Sequence, residues 1–242
     1  MTLVDVPQPP AETPRMVHRP LAHDSAIKHV SGRALFVDDD REPEGTLHLA
    51  CGMSPAACGR IRLVDLDPVR AVAGVVAVLT AADIPGHNDV SPVEAGDDPV
   101  LAAERVVFHG QPLFLVIAEN RLTARRAARL ARIEIEEETP LVDAAAAAAA
   151  GARVTDDLDI VRGSAQAALA AAPARLAGRL HIGGQEHFYL EGQVALAVPR
   201  EDGDIWVLSS TQHPSEVQKA VAGVLGLPIH AVTAEVRRMG GA

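Results

Sequence analysis

The sequence predicts an α+β fold in two successive modules, and three observations support this prediction. Short strand-like apolar segments alternate with helical segments from about residue 45 to residue 142, and the alternation resumes after residue 164. A run of seven alanines, 144–150, separates the two stretches. The composition, with 48% hydrophobic and 22% charged residues, is that of a globular protein.

The chain divides into four predicted parts. Residues 1–20 are polar and proline-rich, lack the apolar run of a signal peptide or membrane span, and are predicted to form a flexible arm. Residues 21–143 form the N-terminal module, and residues 154–242 form the C-terminal module. Residues 144–153 are predicted to be an alanine-rich linker, because alanine favours helix but offers little surface for packing.

Period-two alternation and apolar runs of strand length predict six strands in the N-terminal module, at 46–50, 60–66, 75–79, 106–108, 113–118 and 132–136. Asp67 followed by Pro68 is typical of a helix start, and 122–132 has the pattern of a helix. Thr80 and Asp83 are predicted to cap a short helical turn.

The C-terminal module is predicted to begin with a helix that Ser164 caps and Pro173 ends. A strand at 176–182 then leads into a glycine pair. The remaining predicted elements are a hairpin of 194–198 with 205–209, a helix at 215–225 and a strand at 232–236.

Charge and cysteine content exclude several functional classes. The formal net charge of −10 argues against nonspecific binding to nucleic acid or to an anionic membrane. Five arginines between residues 121 and 132 are predicted to form a solvent-exposed helix face. Cys51 and Cys58 lack the spacing of a zinc or iron–sulfur site and are predicted to be plain buried thiols. So few cysteines predict a reducing cytoplasmic location.

The run 183–191 is the strongest candidate for a functional site. Gly183 and Gly184 let the backbone approach a bulky group closely and permit positive φ. Gln185 follows with two hydrogen-bond donors and an acceptor, without a charge. Such an amide can hold an oxygen ligand of a metal without binding the metal strongly itself.

Glu186, His187 and Glu191 are candidates for a hydrogen-bond network around that amide. Taken alone, the run is more often a glycine turn whose polar side chains only satisfy backbone groups. Residues 211–214 precede a helix, where they either cap it or favour an anion. His181 and His187 do not have the spacing of a zinc motif, and no phosphate-binding loop or nucleophile elbow occurs.

The last six residues, 237–242, form a second candidate site. A strand that ends in Gly240 and Gly241 can lay backbone N–H groups against a phosphate or a pterin. A glycine-rich tail without a ligand explains the same residues.

The string 182–193 resembles the molybdenum hydroxylase family and, within it, the xanthine dehydrogenases in particular. Ser31-Gly32-Arg33-Ala34, Val37-Asp38-Asp39 and the turn at 109–112 extend this resemblance, which runs from about residue 18 to residue 242. It implies an a/b hammerhead-like N-terminal domain. The truncated start of a molybdopterin-binding α+β domain follows it.

The resemblance also implies the chemistry. Molybdopterin is the expected cofactor, Gln185 is expected to hold an oxygen ligand of molybdenum, and Gly184, Gly240 and Gly241 are expected to face the cofactor. The implied reaction hydroxylates hypoxanthine or xanthine with oxygen derived from water. The family's catalytic base has no counterpart here, so no catalytic residue is assigned, and this chain alone is expected to be inactive.

Electrons are expected to leave through a partner, because the chain has neither a cysteine set for iron–sulfur clusters nor a flavin signature. The resemblance implies a small subunit carrying Fe–S clusters and FAD, with NAD as acceptor, in a heteromer of dimers. Two alternatives stay open. One is an inert remnant or interaction module with the same fold, and the other is an aldehyde-oxidising molybdenum hydroxylase, which the His187-Phe188-Tyr189 context argues against.

Overall fold

The computed structural model describes residues 19–93, 96–189 and 191–239. Most of the predicted arm therefore lies outside the described residues, and so do Gly240 and Gly241.

The N-terminal module is built on two three-stranded antiparallel sheets. Its strands are β1 (His48–Met53), β2 (Gly59–Asp65), β3 (Val75–Thr80), β4 (Arg105–Val106), β5 (Pro112–Ala118) and β6 (Arg132–Glu137). One sheet has the order β1-β5-β3 and the other has the order β4-β2-β6. All six predicted strands are present, with ends displaced by a few residues.

Three helices accompany these sheets: α1 (Ala26–Val30), α2 (Asp67–Arg70) and α3 (Arg121–Ala128). Asn120 caps α3 by accepting a hydrogen bond from the Thr123 N–H. The helix ends four residues earlier than the predicted 132, because Arg132 already starts β6 and the chain needs a connection between the two. Thr80 and Asp83 cap a 3₁₀ turn as predicted.

The core of the N-terminal module lies between both sheets and helices α2 and α3. Its buried members are Leu66, Val69, Ala102, Val106, Leu113, Phe114, Val116 and Ala127. Gln111 is also buried; its side-chain oxygen accepts from the Val107 N–H at 2.8 Å, and its carbonyl accepts from the Ser54 N–H at 2.9 Å. The turn at 109–112 is therefore fixed to the end of β1 from inside.

The C-terminal module has a smaller sheet and core. The linker before it contains α4 (Ala144–Ala149). The elements of the module are α5 (Ala165–Ala171), β7 (Ala195–Pro199), β8 (Ile205–Ser209), α6 (Pro214–Leu225) and β9 (Val232–Glu235). The strand order is β7-β8-β9, with the first pair antiparallel and the second parallel. Val207, Ala222 and Val232 are its buried core. Both predicted alanine-rich helices, the hairpin and α6 are confirmed.

The predicted strand at 176–182 is wrong. Residues 172–189, which we call the exposed segment, contain no helix or strand. Leu176, Leu180 and Ile182 are 102%, 80% and 80% exposed. A strand needs a neighbour for its N–H and C=O groups, and none of the described residues pairs with this one. Alternation in the sequence predicts a strand's two faces but not the presence of a partner.

The two modules contact each other through a glycine. The Gly86 N–H donates to the Val224 carbonyl and the His87 N–H donates to the Gly223 carbonyl, both at 2.9 Å. A Cβ atom built at Gly86 would lie 2.1 Å from the Gly223 carbonyl oxygen. Only glycine therefore allows the loop after β3 to reach the C-terminal end of α6.

Candidate cofactor site

The run 183–191 lies partly in the exposed segment and forms no helix or strand where the structure describes it. Neither Gly183 nor Gly184 adopts a positive φ, whereas Phe188 does, at 53°. A Cβ atom built on either glycine would meet nothing within 4 Å. The backbone described here thus does not require glycine at these positions, and the space beside it is open to a bulky group.

Gln185 is exposed, and its amide makes no hydrogen bond to any residue that the structure describes. The network around this amide stays a prediction, because the neighbouring carboxylates have other partners in the structure. Glu186 accepts from the Phe188 N–H and Glu191 accepts from the Val37 N–H, each at 3.4 Å.

The two aromatic residues of the run do not anchor it in a core. Phe188 is 84% exposed and Tyr189 is 38% exposed. The Tyr189 hydroxyl accepts a hydrogen bond from the Gln193 side chain at 2.8 Å.

The end of the described chain is held against the N-terminal module. Arg237 donates from Nε to Asp40 Oδ2 at 2.8 Å and from Nη2 to Asp40 Oδ1 at 3.1 Å. These charge-assisted hydrogen bonds and the charge of Asp40 raise the pKa of the Arg237 guanidinium. The Arg238 guanidinium carbon lies 5.8 Å from the centroid of the Phe36 ring. We call Phe36, Asp40 and these two arginines the clamp.

The Arg238 guanidinium also has hydrogen-bond donors that the clamp does not use. Its Nε and Nη1 atoms are buried and have no hydrogen-bond partner among the residues that the structure describes. A buried charged donor without an acceptor is costly, so this position suits a group that brings acceptor oxygens. The clamp could not be predicted from local sequence, because 197 residues separate Asp40 from Arg237 and the acidic run 38–40 is its one local signal.

Residues 211–214 cap α6. His213 Nδ1 accepts from the Glu216 N–H at 3.1 Å, and Thr211 Oγ1 accepts from the His213 N–H at 2.9 Å. The capping interpretation therefore accounts for Thr211 and His213. Gln212 between them is exposed and, like Gln185, has no hydrogen bond within the part of the chain that the structure describes.

An open cleft lies at the start of β7 and the end of β8. It is lined by Gln193, Val194, Ala195, Ser209 and Ser210.

The remaining sequence candidates do not form a site. Cys51 is exposed and Cys58 is half-buried, so the prediction of two buried thiols is wrong. The strand alternation of β1 turns the Cys51 side chain away from the core. The arginines at 121, 125, 126, 129 and 132 are solvent-exposed, as predicted. Among the residues described, no cluster of three potential metal ligands occurs, and no helix has the length and hydropathy to cross a membrane.

Comparison with known proteins accounts for both modules. Residues 31–139 match the family model described as the a/b hammerhead domain of aldehyde oxidase and xanthine dehydrogenase. Residues 147–242 match the molybdopterin cofactor-binding domain. These matches confirm the predicted fold, and the chain belongs to the aldehyde oxidase and xanthine dehydrogenase family of molybdenum hydroxylases.

Individual relatives include both branches of this family. A xanthine dehydrogenase of Drosophila pseudoobscura pseudoobscura is 39% identical over 228 residues, which are 93% of this chain and 17% of the relative. Aldehyde oxidase 2 of Rattus norvegicus is 36% identical over 227 residues, 93% of this chain and 16% of the relative. The chain thus spans about one sixth of the length of these curated relatives.

Among solved structures, the aldehyde oxidoreductase of Desulfovibrio gigas is similar with a TM-score of 0.79 and 27% identity. That match covers 90% of this chain and 26% of the solved one.

Proposed function

We propose that this chain contributes the hammerhead domain and the first cofactor-binding residues to a xanthine dehydrogenase that hydroxylates hypoxanthine or xanthine. The supporting observation is the 39% identity to a xanthine dehydrogenase over 93% of the chain. The match of residues 147–242 to a molybdopterin-binding domain supports the cofactor.

The residues of the candidate site fit such a cofactor. When bound, the cofactor supplies the redox centre at which a substrate carbon gains a water-derived oxygen. Gln185 would hold an oxygen ligand of the metal, because its neutral amide has unused donors. Gly184 would leave room for the cofactor beside the backbone, and Gly240 and Gly241, outside the described residues, would present backbone N–H groups. No residue of this chain is proposed as acid or base.

Electron transfer is proposed to need a partner subunit with Fe–S clusters and FAD, and NAD as the final acceptor, within a cytoplasmic heteromer of dimers. Two single cysteines, Cys51 and Cys58, cannot supply the four thiolates that such clusters require. Affinity purification of the enzyme from its source cells tests this proposal. We expect an iron- and flavin-containing partner, and purification of active enzyme without one would contradict it.

Aldehyde oxidation is the second candidate. The 36% identity to aldehyde oxidase 2 and the likeness to an aldehyde oxidoreductase favour it. Values of kcat/KM for xanthine and for benzaldehyde, measured on the complete cofactor-loaded enzyme, separate the two. A higher value for xanthine supports the first proposal, and a higher value for benzaldehyde supports the second. Turnover of neither would favour the inert module.

The role of Gln185 is tested with Gln212 as a matched control, since both amides are exposed. In the complete enzyme, we expect Gln185→Ala to lower kcat by about 10- to 100-fold. Gln212→Ala should leave kcat within about twofold, because this residue makes no contact that the proposal uses. Thermal stability and molybdenum content, measured alongside, distinguish lost chemistry from lost folding. A lower kcat in Gln212→Ala with an unchanged kcat in Gln185→Ala would assign the role to Gln212 instead of Gln185.

A further inference from the structure

One short stretch of the N-terminal module touches both candidate segments of the C-terminal module. The Val37 N–H donates to Glu191, the last residue of the run 183–191. Three residues later, Asp40 receives both hydrogen bonds from Arg237. Arg237 lies three positions before Gly240. Residues 36–40 therefore bridge two segments that are about 45 residues apart in sequence.

The bridging stretch is itself held in a fixed conformation. Residues 37–39 form a 3₁₀ turn, and Asp39 accepts from the Phe36 N–H at 2.9 Å. Val37 is 4% exposed, so the turn is anchored by a buried side chain. Because the turn keeps one conformation, it can hold the residues bound to it in one position.

The contact at Asp40 is directional. Both carboxylate oxygens meet the guanidinium fork of Arg237, which also contacts Glu235 at 3.2 Å. The Asp40 side chain is 20% exposed and the Arg237 side chain is 38% exposed, so the bidentate geometry of this pair, more than its burial, makes the contact specific. The Phe36 ring beneath Arg238 adds a second contact of the same turn to the same segment.

We propose that Asp40 is a positioning residue: through Arg237 it fixes residues 237–239, which lead into Gly240 and Gly241 in the sequence. Its importance for the cofactor rests on the proposed function above. The positioning itself does not, because it can be measured on the chain without any cofactor.

The first test is the rate of tryptic cleavage between Arg238 and Met239, measured by mass spectrometry. This bond can enter the protease only after the segment leaves the clamp. We expect Asp40→Asn to speed its cleavage about fivefold or more, because the charge-assisted pair is lost. Asp40→Glu keeps the carboxylate and should restore most of the protection.

Asp38→Asn is the matched control, since Asp38 lies in the same turn but pairs with Arg121 at 3.6 Å. It should leave the rate unchanged. Cleavage after Arg175, in the exposed segment, is the internal reference in every digest. Equal rates at Arg238 in wild type, Asp40→Asn and Asp38→Asn would overturn the proposal.

The second test measures molybdenum content in the complete enzyme. We expect Asp40→Asn to retain at most about half of the wild-type metal, and Asp38→Asn to retain all of it. Faster cleavage with unchanged metal would leave Asp40 as a contact between modules and overturn its importance for the cofactor. A failed Gln185 experiment, with the clamp results intact, would instead count against the proposed function alone.

Discussion

The N-terminal module and the exposed segment both carry alternating apolar residues, yet only the first forms sheets. In β6, Ile133 and Ile135 alternate with charged residues and pack against the core, and the strand pairs with β2. In the exposed segment, Leu180 and Ile182 are each 80% exposed. The two stretches differ in the presence of hydrogen-bonding neighbours, not in their pattern. A strand therefore needs a neighbouring strand, and a segment with the same alternation forms no regular structure when that neighbour is absent.

The largest expected effect separates these two regions by stability. Phe114→Ala should lower the free energy of unfolding by about 3–5 kcal/mol, because it removes a fully buried aromatic ring and leaves a cavity. Leu180→Ala should change it by less than about 0.5 kcal/mol. Urea titrations followed by circular dichroism measure both. A comparable loss in Leu180→Ala would show that the exposed segment packs on the rest of the chain.

Glycines give the next comparison. Gly86→Ala should cost about 1–3 kcal/mol, because the added Cβ would overlap the Gly223 carbonyl at the contact between modules. Gly178→Ala, in the exposed segment, meets nothing within 4 Å and is the matched control. The single tryptophan, Trp206, reports unfolding of the C-terminal module through its fluorescence. Equal unfolding midpoints for the two variants would mean that the modules do not depend on their docking.

Local signals explain why much of the fold could be predicted. Residues close together in the sequence are sufficient to indicate a helix start or a hairpin. Asn120 and Ser164 are examples of helix starts, since the side chain of each caps the helix that follows. The end of α6 is marked in the same way by Gly226, which adopts φ 67°. Such features need no distant partner, so their sequence patterns are sufficient.

The candidate site was less predictable because its contacts join distant parts of the chain. The amide of Gln185 was identified by residue type, but its neighbours were not, since Glu191 reaches back to Val37. The Asp40–Arg237 pair likewise joins two modules, and nothing in either local sequence identifies the other member. Buried Gln111 was noticed only as part of a motif, whereas its role is to hold a turn from inside the core.

The smallest expected effect tests whether a local cap acts independently of the modules around it. Asp83 accepts hydrogen bonds from the Thr80 N–H at 2.7 Å and from its hydroxyl at 2.8 Å, and these bonds hold the pKa of the Asp83 carboxyl below its ordinary value. Because the folded pKa is lower than the unfolded one, the stabilisation is complete above the unfolded pKa. It is lost as the pH falls through the folded pKa. Between about pH 5 and pH 2, the urea midpoint of wild type should therefore fall further than that of Asp83→Asn, which keeps an acceptor but cannot titrate. Parallel curves would show that the cap contributes no pH-dependent stability and that packing alone holds this turn.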